Sequence, residues 1–313
     1  MPSVALSLIG APTDIGAGSI GSRLGPDALR IAGLAQALER RSDRVAEVAD
    51  RGNLSGPPNP QTTATAGHRH LDEVAAWCRA VHEAVAAELA LARMPVLMGG
   101  DHSLAIGSVS AVARHCRDRG LALRVLWLDA HADFNTAHTT PSGHLHGMPV
   151  AVLCGQGPAA LTALAGPGPA LRPAELRQVG IRSVDEGERR LVHAAGLDVY
   201  DMRHIDEHGM RATMEQALAG MDERTHLHLS LDVDFLDPGI APAVATAVPG
   251  GPTWREAQLC MEMIADTGRL GSLDLVELNP ALDVRNQTAH LVVDLVESLF
   301  GKSTLMRPRP RLP

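Results

Sequence analysis

The chain has 313 residues, of which 45% are apolar and 20% charged, a globular composition that argues against disorder. Its formal net charge is −8 and aromatic residues make up only 2%, so it lacks the basic surface and the stacking side chains of a nucleic-acid binder. An acidic chain with 15 histidines is better suited to bind metal cations or a basic substrate.

Short apolar runs alternate along the chain with longer segments of helical length. The short runs predict buried strands at residues 4–9, 96–98, 123–128, 178–181, 227–231 and 273–278. The longer segments predict helices at residues 26–41, 67–92, 104–119, 186–195, 210–219, 254–267 and 286–300. This alternation predicts an α/β fold in which helices cover both faces of a mainly parallel sheet.

Two segments rich in glycine and proline, 52–60 and 155–173, interrupt this pattern. We interpret them as surface loops rather than linkers, because strands and helices continue to alternate across both. The sequence therefore predicts one domain over residues 1–313. Residues 307–313 are expected to fray at the C-terminus.

The four cysteines lie far apart and form no C-x-x-C pair, which excludes a cysteine-based zinc or iron–sulfur site. They are Cys78, Cys116, Cys154 and Cys260, and we expect reduced, mostly buried thiols. No N-terminal signal is apparent, and no segment reaches the ~18 apolar residues of a membrane helix. These features predict a cytoplasmic protein without a membrane partner.

The glycines Gly16, Gly18 and Gly21 match the G-x-G-x-x-G pattern of dinucleotide sites. In such sites the glycines form the strand-to-helix turn itself. Here they begin several residues after the first predicted strand and end before Gly25-Pro26, where the next helix is expected. We therefore predict a flexible loop near an active site, not a nucleotide site.

Acidic and histidine side chains follow three predicted strands, at the strand ends where open α/β sheets bind ligands. They are Asp101, His102, Asp129, His131, Asp133, Asp232 and Asp234. One buried aspartate usually caps a helix, but this many carboxylates would repel one another unless a divalent cation neutralised them. Oxygen and imidazole donors without sulfur favour Mn²⁺, with Co²⁺, Ni²⁺ or Fe²⁺ as substitutes. The surplus of donors predicts two ions that share carboxylates.

Four motifs identify a resemblance to the ureohydrolase superfamily and, within it, to the arginases. They are Gly99-Gly100-Asp101-His102-Ser103, the run from Asp129 to Thr136, Ser142-Gly143-His144-Leu145-His146-Gly147, and Ser230-Leu231-Asp232-Val233-Asp234. The resemblance starts at Ile9-Gly10-Ala11-Pro12, passes through the run from Gly180 to Asp185 and reaches Glu277-Leu278-Asn279-Pro280. It implies a three-layer αβα fold and a binuclear manganese enzyme that hydrolyses L-arginine to L-ornithine and urea. It also implies a homo-oligomer, a trimer or a hexamer, with Arg255, Glu256 and the C-terminal segment as candidate contacts.

The resemblance also implies metal ligands and catalytic residues. One Mn²⁺ would be held by His102, Asp129, Asp133 and Asp232, and the other by His131, Asp129, Asp232 and Asp234. Asp101 is then expected to support the turn at His102 by hydrogen bonding. His146 corresponds to a proton shuttle, Asp133 to the group that passes a proton to the leaving nitrogen, and Glu277 to the carboxylate that holds the guanidinium.

The implied substrate contacts lie at the other end of the site. Asn135, Thr140 and Ser142 correspond to positions that bind the amino-acid carboxylate, and Asp185 to the contact with the α-amino group. His131, Glu188 and Thr246 complete the expected polar lining.

His144 departs from the family pattern, which usually has Asn at this position. An imidazole could keep the contact with the substrate carboxylate through its N–H, or block it. The alternatives therefore include other ureohydrolases that act on agmatine, guanidino acids or N-hydroxyarginine. A related metal-dependent deacetylase and a non-catalytic metal or amino-acid sensor are further alternatives.

Overall fold

The computed structural model describes residues 3–60 and 66–305. Its centre is one eight-stranded sheet with the strand order β2-β1-β3-β8-β7-β4-β5-β6. The strands are β1 (Val4–Gly10), β2 (Val45–Asn53), β3 (Met94–Met98), β4 (Ala122–Leu128), β5 (Leu176–Ile181), β6 (Asp198–Asp201), β7 (Thr225–Asp232) and β8 (Leu270–Val276). Every pairing is parallel, which confirms the predicted α/β class.

Helices cover both faces of the sheet. They are α1 (Gly25–Ile31), α2 (Leu34–Glu39), α3 (Leu71–Ala90), α4 (Ala105–Arg119), α5 (Pro149–Leu153), α6 (Ala159–Thr162), α7 (Glu186–Ala195), α8 (Met202–Ala217), α9 (Trp254–Thr267) and α10 (Gln287–Leu299). One apolar core packs α1, α2, α8, α9 and α10 on the first face, and a second packs α3, α4 and α5 on the opposite face. The three-layer αβα architecture is therefore confirmed.

Strands β2 and β6 were missed in the sequence prediction. Both are edge strands, and each has half-exposed and exposed positions along its length. Such strands lack the continuous apolar run that marks a strand buried on both faces. The predicted strand 273–278 is shifted, because β8 begins at Leu270 and ends at Val276.

Glycines and residues with left-handed backbone conformation account for most differences between the predicted and the observed helices. The predicted helix 26–41 is broken into α1 and α2 at Gly33, whose φ is 84°. The predicted helix 67–92 begins only at Leu71, because Gly67 and His70 both have positive φ. The predicted helix 210–219 begins earlier, at Met202, and is interrupted at Gly209, where φ is 81°. The predicted loop 155–173 contains the short helix α6.

Three further sequence predictions concern the cysteines, the membrane and the C-terminus. All four cysteines are free thiols, buried except for the half-buried Cys154. Within the described ranges, no helix has both the length and the apolar character needed to cross a membrane. The fraying predicted for residues 307–313 lies outside the described residues.

Candidate active site

A polar cleft opens where the central strands end. Strands β3, β8, β7 and β4 are neighbours in the sheet, and parallel pairing brings their carboxyl ends to one edge. The residues after these ends line a cleft of about 640 Å³, measured to its open mouth. Of the sequence-predicted site residues, it exposes His102, His131, Asp133, Asn135, Thr140, Ser142, His144, His146, Asp185, Glu188, Asp232, Asp234, Thr246 and Glu277.

His102 lies at the centre of the first group of acidic side chains. Its Nδ1 is 3.0 Å from Asp232, 3.1 Å from Asp129 and 3.2 Å from Asp133, measured to an Oδ2 atom in each case. Its Nε2 is 2.9 Å from the hydroxyl of Ser230. With the proton on Nε2 donated to that hydroxyl, Nδ1 keeps a free lone pair that faces three carboxylates.

His131 forms a second group with two of the predicted aspartates. Its Nδ1 is 3.0 Å from Asp234 Oδ2 and 3.6 Å from Asp129 Oδ1. The backbone N–H of His131 also donates to Asp129 Oδ1 over 2.6 Å. Asp129 therefore has one oxygen facing each histidine, which is the arrangement expected of a carboxylate shared between two ions.

The donor set fits divalent cations. Donor atoms of His102, Asp129 and Asp133 lie within 4.8 Å of one another, and so do those of Asp129, His131 and Asp234. Burial and the charge of Asp129 hold the pKa of Asp133 well above its ordinary value, and burial and the charge of Asp234 do the same for Asp232. Positive charge between these carboxylates would remove that penalty, and hard oxygen with imidazole suits Mn²⁺ and similar ions.

Two site residues, Asp133 and Glu277, have backbone conformations that the sequence did not reveal. Their φ angles are 52° and 63°, in the left-handed region that non-glycine residues rarely adopt. The N–H of Val150 donates to the carbonyl of Asp133, and the N–H of Glu277 donates to the carbonyl of Gly100. These bonds hold the strained residues in place, and strain of this kind clusters at functional sites.

Glu277 and His146 form a hydrogen-bonded pair beside the predicted metal donors, in which Glu277 is buried and His146 is half-buried. His146 Nδ1 is 3.0 Å from Glu277 Oε1, which also accepts the backbone N–H of His102 over 2.9 Å. Burial is the largest influence and lowers the pKa of His146, but the hydrogen bond to Glu277 and the charges of Glu277 and Asp101 together outweigh it, so the net shift is upward. The second oxygen, Glu277 Oε2, is buried and has no hydrogen-bond partner among the described residues. A buried carboxylate oxygen in this state can bind a cation or a hydrogen-bond donor that enters the cleft.

Asp101 supports the turn that carries His102, as predicted. Its Oδ1 accepts the N–H and hydroxyl of Ser103 over 3.0 and 2.5 Å, and its Oδ2 accepts the N–H of Gly16 over 2.9 Å. Burial and the charge of Glu277 raise the pKa of Asp101 to about 6. Its oxygens are thus engaged with the turn and with the loop after β1.

Asn135, Asp185 and Glu188 form one hydrogen-bonded group on the far wall of the cleft. Asn135 Nδ2 donates to Asp185 over 3.1 Å, while its buried Oδ1 has no partner within the described ranges. The contact with Asp185 fixes the orientation of the amide, which offers the cleft an acceptor. Glu188 accepts the backbone N–H groups of Phe134 and Asp185 over 2.7 and 3.2 Å. These bonds hold the two backbone segments of this wall together.

Thr140, Ser142 and His144 occupy the rim of the cleft. The Thr140 hydroxyl accepts the N–H of Gly143 over 3.0 Å, and the Ser142 hydroxyl accepts the N–H of His144 over 3.2 Å. These bonds order a turn whose residues line the cleft. Thr246 lies deeper and donates to Asp234 Oδ2 over 2.9 Å.

Three residues that support the predicted donors were not predicted from the sequence: Trp127 and Ser230 are buried, and Arg182 is half-buried. The ring of Trp127 stacks on His102 with centroids 4.1 Å apart, and its Nε1 donates to Asp129 over 2.8 Å. Ser230 contacts His102, and Arg182 donates to the carbonyls of Asp234, Leu236 and Val248 over 2.7, 3.2 and 2.9 Å. Trp127 and Ser230 each lie two residues before a predicted ligand, so strand alternation could have identified them.

Comparison with known proteins agrees with this geometry. The Arginase family model matches residues 4–301. The chain is 46% identical to an arginase of Brucella melitensis over 96% of this chain and 97% of that protein. The structure of an arginase from Bacillus caldovelox matches with a TM-score of 0.90 at 40% identity, over 96% of this chain and all of that one. An Entamoeba histolytica arginase in complex with L-ornithine matches with a TM-score of 0.87 at 29% identity, over 96% and 100% of the two chains.

Proposed function

Because the chain belongs to the arginase family and is a ureohydrolase acting on amidines, we propose that its substrate is L-arginine, hydrolysed to L-ornithine and urea. The observation that carries this proposal is the unpartnered Oε2 of Glu277, buried beside the predicted metal ligands. A guanidinium is planar and permanently charged, and its N–H groups can bind such an oxygen in a fixed orientation.

We propose that two Mn²⁺ ions occupy the cleft. His102, Asp129, Asp133 and Asp232 would hold one ion, and His131, Asp129, Asp232 and Asp234 the other. When bound, such a pair supplies Lewis acidity that activates water at neutral pH and stabilises charge at an attacked carbon. Co²⁺, Ni²⁺ or Fe²⁺ would suit the same donors.

The remaining catalytic tasks fall to side chains of the cleft. Glu277 would orient the guanidinium so that its carbon faces the activated water. Asp133, which lies between the predicted metal ligands and the open cleft, would pass a proton to the leaving nitrogen. His146, partly exposed at the cleft and bonded to Glu277, would exchange protons with solvent.

The rim residues would distinguish the amino-acid end of the substrate. Asp185 carries a negative charge suited to an α-ammonium, and Thr140, Ser142 and His144 offer hydroxyl and imidazole donors to an α-carboxylate. Asn135, His131, Glu188 and Thr246 would complete the contacts or hold them in place. The L-ornithine bound by the Entamoeba relative is the expected product here, which supports an amino-acid substrate.

A substrate panel tests this proposal. Protein purified with Mn²⁺ should release urea from L-arginine with a kcat/KM at least ~100-fold above that for agmatine, which lacks the carboxylate. Guanidino acids without an α-amino group should fall between the two. Faster hydrolysis of agmatine would overturn L-arginine as substrate and keep the ureohydrolase activity.

We propose further that the protein is cytoplasmic and forms a homo-oligomer, a trimer or a hexamer, as the resemblance to arginases implies. Arg255 and Glu256, at the start of α9, and the C-terminal segment remain the candidate contacts. Arg255 is exposed, and the Glu256 carboxylate accepts both N–H and hydroxyl of Thr253 over 2.8 Å. Light scattering of the purified protein would give the number of subunits.

A further inference from the structure

The glycine-rich loop between β1 and α1 borders the cleft. The N–H of Gly16 donates to Asp101, and its carbonyl accepts the N–H of His146 over 3.0 Å. The carbonyl of the preceding residue, Ile15, lies 3.1 Å from Nδ1 of His70. The loop therefore packs against the segments that carry the metal donors and the rim, although it contributes none of the residues that the proposed chemistry uses.

Within this loop, Gly18 lies directly against the imidazole of His144. A Cβ atom at position 18 would be 2.7 Å from Cε1, 3.1 Å from Nδ1 and 3.4 Å from Nε2 of that ring. The ring thus covers the space that a side chain would need. The φ of Gly18 is outside the left-handed region, so the backbone itself would accept alanine. In contrast, Gly21 has a φ of 134° and also faces Asn279, so its glycine is required by conformation.

The His144 ring, in contact with Gly18, lies at the rim of the cleft beside other imidazole and charged side chains. The ring packs edge-on against His146, with centroids 6.0 Å apart and planes at 72°. Burial and the nearby side chains of His146, Arg69 and His70 lower the pKa of His144 to about 4. At neutral pH the imidazole is uncharged, so it presents one N–H donor whose position depends on where the ring rests.

We propose that Gly18 and His144 act as a pair that determines substrate specificity. The missing side chain at position 18 lets the imidazole lie at the rim, where its N–H binds the carboxylate of the substrate. Gly18 is thus a positioning residue, and the pair favours guanidino substrates that carry an α-carboxylate. This inference rests on the proposed hydrolysis of L-arginine.

A double-mutant cycle tests the pair. Gly18→Ala should displace the ring and lower the ratio of kcat/KM for L-arginine to that for agmatine by about tenfold or more, since a misplacement of ~1 Å has effects of this order. His144→Asn removes the ring and leaves room for a Cβ atom. In that background, Gly18→Ala should change the same ratio by less than about twofold, because the two residues no longer touch. Ser19→Ala, an exposed neighbour in the same loop, is the matched control and should leave the ratio unchanged.

The readouts separate this inference from the proposed function. In the metal-free protein, where no paramagnetic Mn²⁺ broadens them, the His144 ring resonances in a long-range ¹H–¹⁵N spectrum should shift in Gly18→Ala and stay in place in Ser19→Ala. After loading, both variants should hold the same Mn²⁺ content as the wild type. Equal effects of Gly18→Ala on the ratio in both backgrounds, or no effect in either, would overturn the pair. A wild-type protein that releases urea from agmatine but not from L-arginine would instead overturn the proposed function.

Discussion

The hydroxyl of Ser230 provides a sharp test of how the sheet supports the proposed metal donors. It lies 2.9 Å from Nε2 of His102, and both side chains are buried. Ser230→Ala would leave an imidazole N–H without a partner, which costs ~1–3 kcal/mol of folding free energy. It would also free the ring to rotate, and loss of such an outer partner typically lowers metal affinity by ~10–100-fold.

The neighbouring strand offers a matched control. Ser272 on β8 is equally buried, and its hydroxyl lies 2.8 Å from Nδ1 of His228 and 2.9 Å from Nε2 of His226. Neither histidine belongs to the predicted metal site. Ser272→Ala should therefore lower the thermal stability of the metal-free protein by a similar amount and leave Mn²⁺ affinity unchanged.

The assay is a Mn²⁺ titration of each metal-free variant against a competing chelator, together with thermal unfolding of the same samples. We expect Ser230→Ala to weaken at least one binding step by ~10–100-fold, and Ser272→Ala to bind as the wild type does. An Mn²⁺ affinity equal to that of the wild type in Ser230→Ala would refute the claim that the Ser230 hydroxyl positions His102 for the metal. An equal loss of Mn²⁺ affinity in Ser272→Ala would refute it as well.

Three further predictions follow from single contacts. His146→Asn should lower kcat by about 10²–10⁴-fold while Mn²⁺ content stays normal by elemental analysis; loss of metal would mean that His146 supports the donors rather than moving protons. Glu277→Gln removes the charge that faces the guanidinium, so L-arginine KM should rise at least ~10-fold in steady-state kinetics, and an unchanged KM would contradict that role. The hydrogen bond with Arg30 lowers the pKa of Asp50 below its ordinary value of 3.8. The ionised Asp50 therefore stabilises the folded protein at pH values above 3.8. This stabilisation is lost as the pH falls through the lower pKa of Asp50 in the folded state. Asp50→Asn should consequently lower the melting temperature at pH 6 and make the melting temperature fall less steeply as the pH is lowered. A fall as steep as in the wild type would mean that the Arg30–Asp50 pair does not contribute to stability.

The central part of the fold could be predicted from the sequence because its strands are buried on both faces. Leu227, Leu229 and Leu231 point into one core, while His228, Ser230 and Asp232 point to the other side of β7. The edge strands β2 and β6 could not be predicted in the same way, since half their surface faces solvent. The break at Gly33 depends on a backbone angle that glycine permits but does not require.

For the site, the sequence indicated which residue types converge but not how they are held. Asp129, His131 and Asp133 were recognisable because they alternate after a strand. The left-handed conformations of Asp133 and Glu277, and the unpartnered Oε2 of Glu277, depend on contacts between segments far apart in the chain. The contact between Gly18 and His144 is of the same kind, since it joins two loops that no local pattern connects.

The central claim is that the cleft uses its carboxylates and histidines to cleave the guanidinium group of L-arginine into urea. The most direct test is ¹³C NMR of the Mn²⁺-loaded protein with L-arginine labelled at the guanidinium carbon. We predict that the labelled carbon appears as urea, in step with L-ornithine, and that His131→Ala abolishes the signal along with most of the bound metal. Label retained in citrulline, or unchanged L-arginine in the presence of bound Mn²⁺, would contradict the account.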